Sequence, residues 1–428
     1  MKTTVIGFEA GSPVGWSAIR TGLLSLCLGI FALLSALPVQ AAQGVTGDTI
    51  RVAGVMDLEG RSRGLGLGMK RGIEAAFAGQ RVRGYRIEYV TLDDSYTPEK
   101  TIEATRSLLD QDVFAFVGNV GTPTAKVALP LLAERGVPAV GFFTGAGLLR
   151  PGVGDVVNFR ASYVQETAEV INKAIDAGVP VTGICAYVQN DAYGMAGVEG
   201  IRQALSGRPG TRNIIEALNR IIDMEGEDPP RNGIGPVGVY QRNTFVSRDG
   251  YDSLKAWEAG NGVRCQVVVS VGTYNSIARF VGYSRYRGDD WIVSAVSFTG
   301  ADDFRKALAD LQVHDRVVMT QVVPPLDSDL PIVTQARRAL GDDFGYVTLE
   351  GYIVGQMFLA ALEQVEGPMT RENFLRAVRG KVLEVGGLSL DFRRDNQGSD
   401  LVVSTYLDGG EYRAMTSGDW RRLMAVGR

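Results

Sequence analysis

Two threonines stand where side-chain hydroxyls and backbone N–H groups together could hold a small anion. Thr122 ends the stretch that begins Gly118-Asn-Val-Gly121, and Thr144 lies between Phe143 and Gly145. Each follows an apolar run that predicts a buried parallel strand, and Thr122 also stands where a helix would begin. Free N–H groups at a strand end or helix start suit a carboxylate. The alternative interpretation is two ordinary turns with capping threonines, and the residues by themselves leave both interpretations open.

The elements that would position these threonines form one strand–helix–strand unit. The apolar run Val113–Val117 predicts the first strand. Thr122 is predicted as the N-cap of a helix that ends at Gly136, with Pro130 inside it as the cause of a kink or a lost backbone bond. The run Val137–Phe143 predicts the next strand, so Thr144 follows its carboxyl end.

Strand and helix patterns alternate along the rest of the chain, which predicts parallel sheets with helices on both faces. Strands are predicted over residues 49–56, 85–92, 182–189, 266–271, 291–296 and 315–322. They fall into two successive α/β units, and such sheets bind ligands beyond the carboxyl ends of their strands. Tyr193 and Tyr274 lie at two of these ends in the second unit, where each could close over a ligand. The alternative is that both are half-exposed loop tyrosines.

Three further segments carry structural predictions. Residues 57–68 are rich in glycine but lack the last glycine of a dinucleotide fingerprint, so we predict a flexible loop at the mouth of a cleft, then a helix over 69–78. Residues 206–238 are rich in Gly, Pro and Arg and predict a surface insertion with one short helix around 214–222. A terminal hairpin is predicted over residues 390–407.

The beginning of the chain has the layout of a secretory signal peptide. Lys2 and Arg20 precede the uncharged apolar run Thr21–Leu37, and Val39 and Ala41 satisfy a small-residue cleavage site. We therefore predict that residues 1–42 are removed and that the mature chain works outside the cytoplasm. An uncleaved membrane anchor is the weaker alternative, because the apolar run is short for a membrane span.

Composition argues against several classes of function. A net charge of −4 with 21% charged residues does not suit a nucleic-acid surface. His314 is the single histidine and has no Cys or His near it in sequence, so we predict no metal site, no cofactor and no Ser-His-acid arrangement. Only Cys185 and Cys265 follow the signal segment, both in apolar runs. Buried free thiols are the favoured interpretation, and one disulfide between them is the alternative.

Several stretches together resemble the type I periplasmic binding proteins of ABC importers, in particular the leucine-binding-protein-like group for branched-chain amino acids and amides. They are Gly118-Asn-Val-Gly-Thr-Pro-Thr124, Phe143-Thr-Gly-Ala-Gly-Leu-Leu149, Gln189-Asn-Asp-Ala-Tyr-Gly194, Arg242-Asn-Thr244 and Val271-Gly-Thr-Tyr274. The resemblance covers essentially the whole mature chain. It implies an α/β fold of two Rossmann-like lobes with parallel-rich sheets, joined by a three-crossing hinge. The first lobe is expected to comprise residues 43–160 and 296–383, and the second lobe residues 161–295 and 384–428.

The resemblance also implies where a ligand binds. The expected ligand-binding residues are Gly121, Thr122, Phe143, Thr144, Gly145, Tyr193, Tyr274 and Thr299. In the family, the first-lobe positions bind the ligand carboxylate and aromatic residues contribute from the second lobe. The acid with which amino-acid binders hold the ligand ammonium would fall near Phe298 or Thr299, where no acid stands. An aromatic residue is likewise missing near Leu65, and Arg61 or Arg63 could instead meet a second anionic group.

These features imply a monomeric periplasmic protein without enzymatic activity or cofactor. It would capture a small carboxylate-bearing solute, such as an amino acid, an amide or an aromatic or aliphatic acid, and deliver it to an ABC permease in the inner membrane. A sensor that signals to a membrane partner is the alternative, and nothing in the sequence separates the two. An exported enzyme with a Rossmann-like cofactor site is disfavoured by the incomplete glycine pattern and the single histidine.

Overall fold

The computed structural model describes residues 1–5, 7, 11, 44–226 and 228–425. Met1–Ala41 and Ala42–Arg428 form two separate units, and all the elements below belong to the second. The predicted apolar run and cleavage site of the signal peptide lie outside the described residues.

A mostly parallel sheet forms the first lobe. Its strands are β1 (Val45–Thr46), β2 (Thr49–Met56), β3 (Arg81–Val82), β4 (Tyr85–Asp93), β5 (Phe116–Val117), β6 (Ala139–Val140) and β7 (Val156–Val157). They lie in the order β3-β4-β2-β5-β6-β7, and β1 pairs with β2. The pairs from β4 through β2, β5 and β6 to β7 are parallel, so their carboxyl ends meet at one edge.

A second mixed sheet forms the other lobe. It contains β8 (Ile184–Gln189), β9 (Val237–Tyr240), β10 (Val267–Val271), β11 (Ile292–Ala295) and β12 (Val317–Gln321). The pair β13 (Val382–Val385) and β14 (Leu388–Asp391) stands apart, and the chain then returns to the second sheet with β15 (Val403–Asp408) and β16 (Glu411–Ala414). The order is β16-β15-β12-β11-β10-β8-β9, parallel from β12 to β9.

Helices pack on both sheets. They are α1 (Arg63–Phe77), α2 (Pro98–Leu109), α3 (Thr122–Glu134), α4 (Tyr163–Asp176), α5 (Ala192–Leu205), α6 (Arg212–Ile222), α7 (Arg248–Asn261), α8 (Tyr274–Tyr286), α9 (Ala301–Asp310), α10 (Pro331–Leu340), α11 (Tyr346–Glu363), α12 (Arg371–Val378) and α13 (Ser417–Ala425). α1 packs along α11, and α4 packs along α5. The predicted α/β fold with two parallel-rich sheets is confirmed.

Sheet membership corrects two predictions about the second half of the chain. β12 pairs with β11 and β15, so the expected return to the first lobe after residue 295 is wrong for this strand. The chain returns after β12, because α10 and α11 pack on α1. The hairpin predicted over residues 390–407 is also wrong, since β14 pairs back with β13 and β15 pairs forward with β16. Sequence periodicity finds strands but does not identify their partners.

The glycine-rich segment 57–68 is helical in its second half, so the predicted loop and the predicted helix start at Met69 are wrong. α1 begins at Arg63. The glycines lower helix propensity, but they allow close packing. A Cβ atom on Gly72 would collide with the backbone of α11 at Thr348 and Tyr352. Tertiary packing therefore outweighs local propensity here.

The segment 206–238 is an integral part of the second lobe, which corrects the prediction of a surface insertion. The short helix predicted there is confirmed as α6, whose apolar face is buried against α5. Arg231 holds the loop that follows by donating hydrogen bonds to the carbonyl oxygens of Ile221 and Met224 and to the side chain of Asn190. Helical spacing of Ile214, Leu218 and Ile221 is the signal for this burial.

Cys185 and Cys265 form a disulfide, with their Cα atoms 5.7 Å apart. The favoured prediction of two free thiols is therefore wrong, and the alternative is confirmed. β8 and β10 are neighbouring parallel strands in which Ile184 lies beside Val267. Cys185 follows Ile184 within β8 and Cys265 lies two residues before Val267, so the fold brings together two residues that are 80 positions apart in sequence.

Candidate functional site

The hydroxyls of Thr122 and Thr144 form a hydrogen bond 2.6 Å long, and both residues are fully buried. Thr122 is the first residue of α3, and Gly121 occupies the N-cap position with a φ of 112°. The predicted N-cap role of Thr122 is therefore wrong: its side chain reaches across to the next strand end. The first amides of α3 have no partner within the helix and lie at its positive end.

A network of backbone contacts fixes the two strand ends that carry these threonines. The side-chain oxygen of Asn119 accepts from Val55 N at 3.1 Å, which ties the turn to β2. Phe143 N donates to Asn119 O at 2.7 Å, and Gly121 N donates to Phe143 O at 3.3 Å. The hydroxyl positions therefore rest on the first sheet and not on a free loop.

Two glycines allow tyrosines to approach this pair. A Cβ atom on Gly121 would lie 2.5 Å from the ring of Tyr96, and its positive φ disfavours other residues. A Cβ atom on Gly145 would lie 2.8 Å from both the ring and the backbone N of Tyr163. The Gly121 and Gly145 positions expected in the site thus act by leaving room for aromatic rings.

The second lobe meets the first through the ring of Phe298. The ring centroid of Phe298 lies 5.1 Å from that of Phe143, 6.4 Å from Tyr96 and 4.7 Å from Tyr193. The neighbouring Thr299 donates its hydroxyl to Gly272 O at 2.8 Å, and Tyr193 donates to the same oxygen at 3.4 Å. All these side chains are buried. Tyr193 and Thr299 are therefore brought together with the first-lobe residues through Phe298.

Tyr274 lies elsewhere, at the mouth between the lobes. Its hydroxyl donates to Arg61 O at 3.2 Å and accepts from Gly64 N at 3.4 Å, so it contacts the beginning of α1. The Arg61 guanidinium lies over the ring of Phe245, 4.7 Å from its centroid. The suggested anion contact of Arg61 is therefore replaced by a contact with an aromatic ring of the second lobe.

A hydrogen bond links the lobes next to Tyr96. Gln189 Nε2 donates to the Tyr96 hydroxyl at 3.2 Å, and Gln189 Oε1 accepts from the Tyr240 hydroxyl at 3.2 Å. The side chain of Asn243 reaches the carbonyl oxygen of Tyr96 at 3.5 Å. Residues of both lobes are thus in direct contact around the threonine pair.

Comparison with known proteins agrees with this architecture. A family model described as periplasmic binding protein matches residues 49–212. The solved structure of a possible leucine/isoleucine/valine-binding protein from Rhodopirellula baltica SH 1 is 31% identical, covering 90% of this chain and 99% of that chain with a TM-score of 0.75. The chain belongs to the leucine/isoleucine/valine-binding family of type I periplasmic binding proteins. A search of the curated proteins finds no match.

Two more distant structures share the fold of this periplasmic binding protein. One is a branched chain amino acid ABC transporter from Thermus thermophilus with bound valine, 15% identical, with 87% of this chain and 96% of that chain covered and a TM-score of 0.70. The other is a solute binding protein from R. palustris in complex with 4-hydroxybenzoate. It is 16% identical, with 86% of this chain and 96% of that chain covered and a TM-score of 0.67. Among the described residues, no helix combines the length and apolar character needed to cross a membrane.

A buried ionic cluster lies where the chain of this periplasmic binding protein crosses between lobes. Arg160, just before α4, faces Glu166 of α4 at 3.5 Å and Glu350 of α11 at 3.6 Å. Glu166 also accepts from Thr320 at 2.6 Å and from Ser297 N at 2.7 Å. Burial raises the pKa of Glu350 to about 7, although Arg160 acts in the opposite direction. The cluster joins elements of both lobes.

Sequence reasoning missed several residues of this region. Tyr96 follows the carboxyl end of β4, and the rule that such ends line the site could have found it. Arg160 and Glu350 stand in apolar surroundings, where a charged residue signals a buried pair. Tyr163 gives no such signal, because an aromatic residue at the beginning of a helix is ordinary in sequence.

Proposed function

We propose that this periplasmic binding protein captures a small carboxylate-bearing solute between its two lobes and delivers it to an ABC permease. In this proposal it is exported by a cleaved signal peptide and acts as a monomer. The ligand carboxylate binds at Thr122, Thr144, the amides at the start of α3 and the strand end at Phe143–Gly145. Tyr193, Thr299 and, at the mouth, Tyr274 close from the second lobe.

The buried threonine pair is the observation that carries this proposal. One hydroxyl donates to the other, and either can be the donor, so the pair keeps one O–H proton that this bond does not use. A spare donor beside a helix N-terminus favours an anionic acceptor. A carboxylate that enters between the lobes could accept from that hydroxyl and from the free amides of α3 at the same time.

Phe298 bears on the chemical class of the ligand. Its ring packs on Phe143, Tyr96 and Tyr193 at the position where the resemblance places an acid for a ligand ammonium. An ammonium group buried against rings without a carboxylate loses its hydration, which costs several kcal/mol. We therefore favour a carboxylate with an aromatic or apolar body and no α-ammonium group over an ordinary amino acid.

The proposed cycle is binding and not chemistry. A ligand held by the first lobe stabilises the closed arrangement only by its differential affinity for closed over open. Direct contacts between the lobes, such as Gln189 to Tyr96 and Tyr274 to Arg61, also stabilise the closed arrangement. They lower the free energy of closure that the ligand must supply.

A thermal-shift screen of the mature chain, residues 43–428, tests the proposal. Aromatic and aliphatic monocarboxylates, their primary amides and the corresponding amino acids are compared at increasing concentration. A ligand should raise the melting midpoint in a concentration-dependent way, and acids should raise it more than the corresponding amides do. The proposal fails if no carboxylate raises the midpoint, or if Thr122→Val leaves the affinity of the best acid unchanged in calorimetry.

A further inference from the structure

The hydroxyl of Tyr163 is a buried donor without a partner. Tyr163 is the first residue of α4 and is fully buried. In the described part of the chain, its hydroxyl oxygen has no hydrogen-bond partner. Buried hydroxyls in folded proteins are nearly always hydrogen-bonded, because an unpaired one destabilises the fold. An exception in the middle of a candidate binding site therefore points to an acceptor that comes from outside the chain.

Several contacts hold the Tyr163 ring beside the threonine pair. Its backbone N donates to Gly145 O at 2.8 Å, and its ring lies 5.3 Å from that of Tyr193. The Arg160 guanidinium lies 5.9 Å from the ring centroid. Because the residue after Thr144 is a glycine, the ring can approach the strand end closely. Tyr163 thus stands between the first-lobe donors and the second-lobe aromatic rings.

Electrostatics agree with this placement. Burial raises the pKa of the Tyr163 hydroxyl to about 12, while Arg160, Thr144 and Gly145 act in the opposite direction. Thr144 and Gly145 act on this pKa as donors toward the hydroxyl oxygen, although neither lies in hydrogen-bonding geometry, so the Tyr163 proton is left without an acceptor. The group is therefore a neutral O–H donor at physiological pH, one that attracts an anion and does not repel it.

We propose that Tyr163 is a specificity-determining residue, which donates its hydroxyl to one oxygen of the ligand carboxylate while Thr122 and Thr144 serve the other. This inference rests on the proposed function and assigns a residue outside the expected ligand-binding set. A carboxylate presents acceptors at both oxygens and satisfies both groups of donors. A primary amide is uncharged and presents only one acceptor oxygen, so it forms weaker hydrogen bonds with these donors than a carboxylate does. Tyr163 thereby selects acids over amides.

The test compares Tyr163→Phe, which keeps the ring, with the wild-type mature chain. The probes are benzoate with benzamide and 4-methylpentanoate with 4-methylpentanamide, measured by isothermal titration calorimetry. For an acid that binds wild type, we expect Tyr163→Phe to weaken binding at least tenfold and to lower the acid-to-amide affinity ratio by a similar factor. Without ligand, the variant should melt at the wild-type temperature or slightly higher, because it loses an unpaired hydroxyl.

Two reference variants separate the ways in which the inference can fail. Tyr251→Phe removes a second-lobe hydroxyl, in α7, that donates to Asp289, and it should leave acid affinity unchanged. If Thr122→Val weakens the acid but Tyr163→Phe does not, the role of Tyr163 is refuted and the proposed function stands. A lower melting point of ligand-free Tyr163→Phe also refutes it, since the hydroxyl is then already paired. If no acid binds wild type, the proposed function fails and the inference falls with it.

Discussion

The hydrogen bond between Thr122 and Thr144 predicts a measurable coupling in the ligand-free protein. The two hydroxyls are 2.6 Å apart and fully buried, so replacing either residue with valine leaves the other hydroxyl partly unsatisfied. On the sequence alone, a valine at position 122 is expected to leave the melting of the empty protein nearly unchanged. The structure predicts otherwise, because the Thr122 hydroxyl already has a partner inside the protein.

The magnitude follows from the energetics of buried hydroxyls. Each single substitution, Thr122→Val or Thr144→Val, should lower the free energy of unfolding by about 1–3 kcal/mol, since a buried group loses its partner. The double variant removes both partners at once, so its loss should fall short of the sum of the single losses by about 1–2 kcal/mol. Valine matches threonine in shape, so packing changes little.

Urea unfolding followed by tryptophan fluorescence measures the free energy of unfolding of wild type, of the two single variants and of the double variant. The four curves are analysed with the same dependence of free energy on urea concentration. Thr105→Val is the matched control, because the Thr105 side chain is also buried in the first lobe but its hydroxyl has no partner in the described residues. The Thr105→Val substitution should leave the free energy of unfolding unchanged or raise it slightly. Single losses below about 0.3 kcal/mol, or strictly additive losses in the double variant, would refute the bonded threonine pair.

Three other perturbations test separate parts of the structure. The pKa of Glu350 in the folded protein is about 7 against an ordinary value of 4.5, so its contribution to stability is fully present below pH 4.5 and is lost as pH rises through about 7. Wild type should therefore lose roughly 3 kcal/mol relative to Glu350→Gln across that window, and a difference independent of pH would contradict the buried cluster. Reducing the Cys185–Cys265 disulfide, which closes a loop of 80 residues, should lower the free energy of unfolding by roughly 4 kcal/mol, and equal stability with and without reductant would contradict it. Phe298→Asp should raise the affinity for L-leucine relative to 4-methylpentanoate at least tenfold in calorimetry. Phe298→Asn, which adds no charge, should leave this affinity ratio unchanged. Equal effects of the two variants would show that no ammonium site exists there.

Local patterns in the sequence are sufficient for most of the fold. Apolar runs bounded by glycine or polar residues locate β2, β4, β8, β10 and β11 to within a residue or two. The errors arise where a distant element decides the outcome. The glycines of α1 form a helix because they pack against α11, and β12 joins the second sheet because β15 pairs with it. Neither contact leaves a signal in the local sequence.

The candidate site also contains residues that the local sequence predicts and residues that depend on distant parts of the chain. Glycine and threonine at two strand ends predict the first-lobe part, since anion sites at strand ends and helix starts follow from backbone chemistry. Tyr163 and Arg160 could not be found by this rule, because their importance depends on which strand end faces them. The binding roles of Tyr193, Tyr274 and Thr299 stay predictions, although the structure gives each a defined position.

A crystal structure of the mature chain with a saturating acid, chosen by the thermal-shift screen, tests the central claim most directly. We predict that the ligand carboxylate lies within hydrogen-bonding distance of the Thr122 and Thr144 hydroxyls, between Phe143 and Phe298, with the lobes closed over it. The second lobe offers a different location, a cavity of about 570 Å³ lined by Asn190, Arg231 and Tyr240. A ligand bound there, with the threonine pair unchanged, would contradict the account.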